Sequence, residues 1–186
     1  MLLLTLRGTP TVYYGDEIGM MNAEVPGELI SDPLGKAVPA LGRDGARSSM
    51  RWDGSRFCGF SEAPPWCVGS NEGPPNVTEQ EGNHTSMLAL YKRLIRARRH
   101  NPTLAVGSYH PLEATGDVLL FRRNHSGCPS VIVALNLGDQ PAAAILHGVQ
   151  STGRVVVSTL ADRDGEAVKD EIDLRPHEGL LIELST

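Results

Sequence analysis

A short apolar run, Pro10–Tyr14 (PTVYY), closed by Gly15 and followed at once by Asp16 and Glu17, sets the first constraint on this chain. Its β-branched and aromatic residues predict a strand, and an apolar strand this short suits a parallel strand buried on both faces. The preceding Leu2–Leu6 is apolar and helix-compatible, with Gly8 as a stop. Met1–Leu6 has no basic leading region, an apolar core below the ~7-residue minimum and no small-residue cleavage site, so it is expected to be the tail of a helix whose beginning is missing, not a signal peptide. In parallel α/β sheets and barrels, ligands bind at the carboxyl ends of strands, which is where Asp16 and Glu17 fall. Paired carboxylates can do acid/base work when their environments differ. Adjacent side chains point different ways, however, so the pair is expected to form a hydrogen-bonded turn that caps nearby amides.

Met21–Asn83 shows no sustained period and holds most of the prolines, including Pro64-Pro65 and Pro74-Pro75. Structureless stretches beyond ~15 residues are uncommon in compact domains, so this one is either a pocket wall or a linker. Its two tryptophans, Trp52 and Trp66, favour a packed wall, because disordered linkers are poor in aromatics. Inside it lies GRDGAR, Gly42–Arg47, with Arg43 and Arg47 flanking Asp44. A guanidinium offers a rigid fork of donors suited to carboxylates and to vicinal sugar hydroxyls. If the turn coils helically, both arginines share one side. The alternative is a surface ion pair with Asp44, which contributes little.

Thr85–His100 predicts a helix capped by Asn83 or Thr85. Met87, Leu88, Tyr91, Leu94, Ile95 and Arg98 fall on one face, and Pro102 ends it. Lys92, Arg93, Arg96, Arg98 and Arg99 crowd its second half, where cations complement the helix dipole on a solvated face. From Ala105 the pattern changes to short β-like runs: Ala105–His110, Val118–Arg123, Ser130–Leu137, Ala142–Leu146, Arg154–Thr159 and Gly179–Leu184. Turn dipeptides separate them, and such spacing predicts an antiparallel sandwich or barrel. The boundary falls near Asn101–Leu104.

A formal net charge of −5 argues against nucleic acid, whose phosphates need a basic field. No apolar run approaches the ~20 residues of a membrane span. Cys58, Cys67 and Cys128 have no metal-ligand spacing and are expected to be free thiols. His84, His100, His110, His125, His147 and His177 are scattered, without a ligand pair at helical spacing, so neither a metal site nor a cofactor is expected. Glycosylation acceptor triplets at Asn76, Asn83 and Asn124 are expected to be chance occurrences.

Taken in order, GTPTVYYGDEIGM, GRDGARSSMRWD, GFS and PPW resemble the α-glucosidase and oligo-1,6-glucosidase branch of glycoside hydrolase family 13, whose eighth barrel strand reads like GTPxxYxGEEIGM and whose following loop reads like GRDxARTPMQWD. YKRLIRARRHNPTLAVGSY resembles the family's last barrel helix and its lead into the C-terminal domain, so the resemblance covers nearly the whole chain. It implies α/β followed by all-β architecture: the terminal part of an incomplete (β/α)8 barrel over residues 1–103 (helix-seven tail, strand eight, long loop, helix eight), then an antiparallel C-terminal β-sandwich domain over 104–186. A barrel of roughly 250 residues cannot fit within 186. The family cleaves α-glucosidic bonds with retention, through an aspartate nucleophile and a glutamate acid/base. In the family these lie upstream of strand eight, so no catalytic residue is carried over and the chain alone is expected to be inactive. What carries over is substrate binding: Arg43 is expected to line the glucose subsite and to lack its paired aspartate here, with Arg47 on the leaving-group side. The implied partner is a small oligosaccharide. A sucrose isomerase or trehalose synthase, or a non-catalytic transporter heavy chain, shares the same barrel end. Asp16 for glutamate, and Ser48, Ser49 and Arg51 in the TPMQWD step, depart from the family pattern.

Overall fold

The structure is a computed structural model that describes residues 1–67, 75–146 and 152–185. Pro74 and His147 lie outside the described residues. The helices are α1 (Leu2–Thr5), α2 (Pro33–Ala37), α3 (Val77–Glu81), α4 (Met87–His100) and α5 (Pro102–Ala105). The strands are β1 (Ser108–Pro111), β2 (Val118–Asn124), β3 (Val131–Asn136), β4 (Ala142–Ile145), β5 (Gly153–Ser158), β6 (Ala167–Val168), β7 (Glu171–Leu174) and β8 (Gly179–Leu184). The chain forms two compact units, Met1–Thr11 with Leu90–Thr186, and Val12–Ala89. The division falls inside α4, between Ala89 and Leu90, whereas the sequence pattern places the change of character at 103/104.

The first unit is built on a six-stranded antiparallel sheet in the order β1-β2-β3-β8-β5-β6, with β4 and β7 forming a separate antiparallel pair. Every residue of β3 is buried, because the sheet is covered on both faces. On one face Leu120, Ile132, Leu180 and Ile182 pack with Ala144, Ile172 and Leu174 of the small sheet. On the other, Phe121, Val133 and Leu181 pack with Leu4, Leu90, Leu94 and Leu104 from the helices. The expected sandwich is therefore only half of the arrangement, since a helical layer covers the second face. Gly127, at φ 75°, supplies the left-handed turn between β2 and β3.

Two arginines in this unit are satisfied by backbone carbonyls. Arg123, fully buried, donates to Thr5, Gly107 and Ser108. Arg98 donates to Leu4, Leu6 and Gly8. Burial lowers the pKa of each guanidinium, and for Arg123 the charges of Arg98 and Arg7 add to it. The carbonyls they hold include those left open at the end of α1. Buried Glu178 accepts from the Arg175 side chain at 2.6 Å and amide at 2.9 Å and from Arg163 at 3.2 Å. Burial pushes its carboxyl up, yet these donors hold it below the usual range.

The second unit has a small apolar centre, Ile18, Met50 and Leu88, with Met20 and Val77 against it. Polar side chains do much of the remaining tying. Gln80 donates to the Ile18 carbonyl at 2.8 Å and accepts from the Leu88 amide at 2.9 Å. Asp32 caps α2 and Asn76 caps α3. Gly45 is fixed by close approach: a Cβ there would sit 2.6 Å from the Ala23 carbonyl oxygen.

Pro10–Tyr14 does not form the expected strand. A strand exists only where a neighbour shares its backbone bonds, and none of the described strands pairs with this segment. The α4 helix ends where expected but starts two residues later than Thr85, and its first turn is closed by Ser86, whose hydroxyl accepts from the Ala89 amide at 3.1 Å, while Asn83 bonds Thr85. Pro102 ends α4 by opening α5, with Asn101 as cap.

Candidate functional site

The site is built by the turn after Tyr14 and by the loop from Arg43 to Cys67. Asp16 accepts from the Tyr13 amide at 3.0 Å, and Glu17 accepts from the Gly15 amide at 2.8 Å. Both carboxylates cap local amides, and together they hold a 3-10 turn, Asp16–Ile18, that sets Tyr14 and Glu17 beside the loop. Tyr14 then donates to the Ser48 carbonyl at 2.9 Å. Burial, then the neighbouring Tyr13, push its phenol up.

Asp44–Arg47 is also a 3-10 turn. With three residues per turn, positions four apart no longer stack, and the two arginines of GRDGAR diverge. Arg43 turns to Asp32. Its Nε and Nη2 reach the two carboxylate oxygens at 2.9 and 2.6 Å, and its amide adds a third bond at 2.9 Å. The Arg43 fork holds the Asp32 carboxyl well below the usual carboxylate range. The expectation that Arg43 lacks a carboxylate partner in this chain is thus corrected: a buried aspartate on the same loop compensates it. The Asp32 amide, then the Ser31 amide, donate to Asp44 at 2.7 Å each and lower its pKa against the effect of burial.

Arg47 takes the other direction. It lines a cleft of about 540 Å³ together with Tyr14, Glu17, Met50, Trp52, Phe60, Trp66 and Cys67. Among the described residues its one side-chain hydrogen bond is a long one, 3.3 Å to Asp44, so most of its donor fork remains open to a ligand. Trp52, Phe60 and Trp66, which line it, are 51, 52 and 42% exposed. Among the described residues lining it, Glu17 is the one carboxylate. A glycosidase uses two carboxyl groups flanking the bond it breaks, so this cleft can hold a ligand but does not by itself present that pair.

The tryptophans expected to form a packed wall both line the cleft, and Arg47 stands there too, whereas Arg43 is absent from its lining. Tyr14, Phe60 and Cys67 were not singled out as site residues by sequence reasoning. An aromatic residue just before a turn of paired carboxylates is the signal that could have found Tyr14. The three cysteines are free thiols, and burial pushes Cys67 up. No group of histidine, cysteine and carboxylate side chains among the described residues is placed to hold a metal ion. His100, His110 and His125 make local hydrogen bonds. Among the described residues, no helix is long and apolar enough to cross a membrane.

A family model described as the alpha amylase catalytic domain matches residues 1–107. A probable alpha-glucosidase of Rhizobium meliloti is 38% identical over 144 residues, covering 76% of this chain and 26% of that protein. An oligo-1,6-glucosidase of Parageobacillus thermoglucosidasius is 29% identical over 197 residues, covering 93% of this chain and 35% of that protein. The trehalulose synthase MutB of Pseudomonas mesoacidophila has a crystal structure that matches with a TM-score of 0.86 at 24% identity, covering 99% of this chain and 37% of that one. The chain thus spans about a quarter to a third of the length of the curated relatives it matches. The turn of paired carboxylates, the GRDGAR loop and the match to the catalytic-domain model over 1–107 place this chain in the alpha-amylase family.

Proposed function

We propose that this chain supplies one wall of the substrate pocket of an α-glucosidase-like hydrolase acting on terminal α-linked glucose of small oligosaccharides. In this reading residues 1–103 close a (β/α)8 barrel, with Pro10–Tyr14 as strand eight paired to barrel neighbours and Met87–His100 as helix eight. Residues 104–186 form the C-terminal domain. The nucleophile and the acid/base come from polypeptide outside these 186 residues, and the parent retains anomeric configuration.

The observation that carries the reading is the cleft with Arg47 beside Tyr14, Trp52, Phe60 and Trp66. Aromatic faces with one open guanidinium are the groups that grip a sugar ring and its hydroxyls. Arg47 is the substrate-binding arginine. Arg43, the other candidate, contributes by fixing the loop through Asp32. The purified 186-residue chain is expected to release no phenol from an aryl α-glucoside. Turnover above a buffer blank, abolished by Glu17→Gln, would overturn the division of labour between this chain and the missing carboxylates.

A further inference from the structure

The face of the six-stranded sheet turned away from α1, α4 and α5 carries, at its β1–β2 edge, a group of polar side chains that take no part in the cleft. Strand alternation puts Arg122 on the side of Leu120, which packs with the small sheet, and Arg123 on the side of Phe121, which packs with the helices. In the β1–β2 register Ser108 lies opposite Asn124, and His110 lies opposite Arg122. The two cross-strand pairs lean together. Arg122 Nε donates to Asn124 Oδ1 at 2.7 Å. His110 Nε2 lies 2.8 Å from Ser108 Oγ, whose hydroxyl donates to the Asn124 carbonyl at 3.2 Å. Guanidinium and imidazole thus converge over one cross-strand pair, Ser108 and Asn124.

The side-chain acceptors of this group are used up internally, and its donors are not. A guanidinium only donates, so Asn124 Oδ1 must face Arg122, which leaves Nδ2 as a donor without a partner among the described residues. Arg122 Nη1 and Nη2 likewise have no partner among the described residues, whereas Arg93, Arg163 and Arg175 of the same unit are each ion-paired with a carboxylate. With the Ser108 proton on the Asn124 carbonyl, His110 Nε2–H donates to Oγ, and the imidazolium form keeps Nδ1–H free. Like charges directly opposite each other on a ribbon are unfavourable, and an acceptor-only anion between them converts that repulsion into attraction. From this juxtaposition we infer that the β1–β2 edge binds a tetrahedral oxyanion of the phosphate class. Arg122 is the fork that takes its oxygens, and His110 and Asn124 supply further donors. Ser108, His110, Arg122 and Asn124 all belong to the β-rich unit, so this site stands or falls independently of the sugar cleft.

Titration of the full 186-residue chain with inorganic phosphate, glucose 6-phosphate and, at matched ionic strength, sodium chloride tests the inference. Proton–nitrogen correlation spectra supply the readout, at about pH 6, within the range where histidines take up a proton. Phosphate is expected to move the amide signals of β1 and of Arg122–Asn124 with a dissociation constant on the order of 1 mM, the strength of a few charge-assisted bonds on an open face. Chloride is expected to leave them in place. Arg122→Gln should weaken phosphate binding about tenfold and His110→Gln about threefold. Arg154→Gln, at an exposed arginine of β5, should leave it unchanged. Glucose 6-phosphate binding more tightly than inorganic phosphate would make a sugar phosphate the occupant, and equal affinities would assign the site to the free anion. Equal shifts with chloride would reduce the effect to ionic screening and overturn the inference. Phosphate shifts that persist in Arg122→Gln, or that fall outside β1 and β2, would overturn it as well. The comparison of anions uses the unaltered chain, so the inference can fail even if no variant folds.

Discussion

In the β-rich unit, Ile132, Val133, Ala134, Leu180 and Ile182 sit fully buried in a sheet covered on both faces, whereas in Val12–Ala89 the buried apolar cluster consists of Ile18, Met50 and Leu88. The second unit compensates with directed bonds: the Arg43 fork on Asp32, the Asp44 carboxylate on two amides, and Gln80 between Ile18 and Leu88. The contrast teaches where this fold keeps its freedom. Apolar packing makes a rigid sheet insensitive to sequence detail at the surface, while a polar-tied loop can present ring faces and an arginine to a ligand. The price is dependence on a few charged groups.

The largest expected effects test the apolar side of that contrast. Phe121→Ala removes a fully buried ring and should lower the unfolding free energy by about 3–5 kcal/mol in urea titrations followed by dichroism. Met50→Ala in the smaller cluster should lower it by about 2 kcal/mol, read by tryptophan emission. Equal losses at the two positions would erase the distinction between the units.

Acid should discriminate next. Asp32 and Asp44 have lowered pKa values in the fold, so their contribution is present above the ordinary carboxylate value of about 4 and is lost as pH falls through the lower folded values. Tryptophan emission, which reports on Trp52 and Trp66 in the Val12–Ala89 unit, should therefore change as pH falls below that value. Asp32→Asn should make the emission less sensitive to acid, and a pH profile identical to that of the parent chain would remove Asp32 from this role. The smallest effect belongs to a single cap: Asn76→Ala loses the bond from the Glu79 amide and should lower stability by about 1 kcal/mol, measured by urea titration.

Strands were legible where alternation and turn dipeptides agreed. Gly179–Leu184 is observed as read, Val118–Arg123 falls one residue short of its strand, and Arg154–Thr159 is shifted by one residue at both ends. The strand Glu171–Leu174 was missed because EIDL carries two acids in four positions, although its buried residues, Ile172 and Leu174, do alternate. The helical layer was hidden because Leu4 and Leu94 meet Phe121 across long sequence separations, which no local period reports. At the site, GRDGAR was legible as a motif but the direction of each arginine was not. That direction depends on Asp32, eleven residues before Arg43, across a loop with no period to announce it. The cleft itself escaped for the same reason, since Tyr14 and Cys67 meet only after the loop has closed.

The guanidinium of Arg123 and the carbonyl of Thr5 that it holds are separated by 118 positions in the chain. At translation speeds of roughly 5–20 residues per second, α1 leaves the ribosome about 6–24 s ahead of the arginine that secures it. Throughout that interval Leu2 and Leu4 have no sheet to lie against, so this segment waits as open apolar surface that chaperones can grasp. Maturation of the β-rich unit is in this sense a post-synthetic event, governed by the late arrival of its own far end.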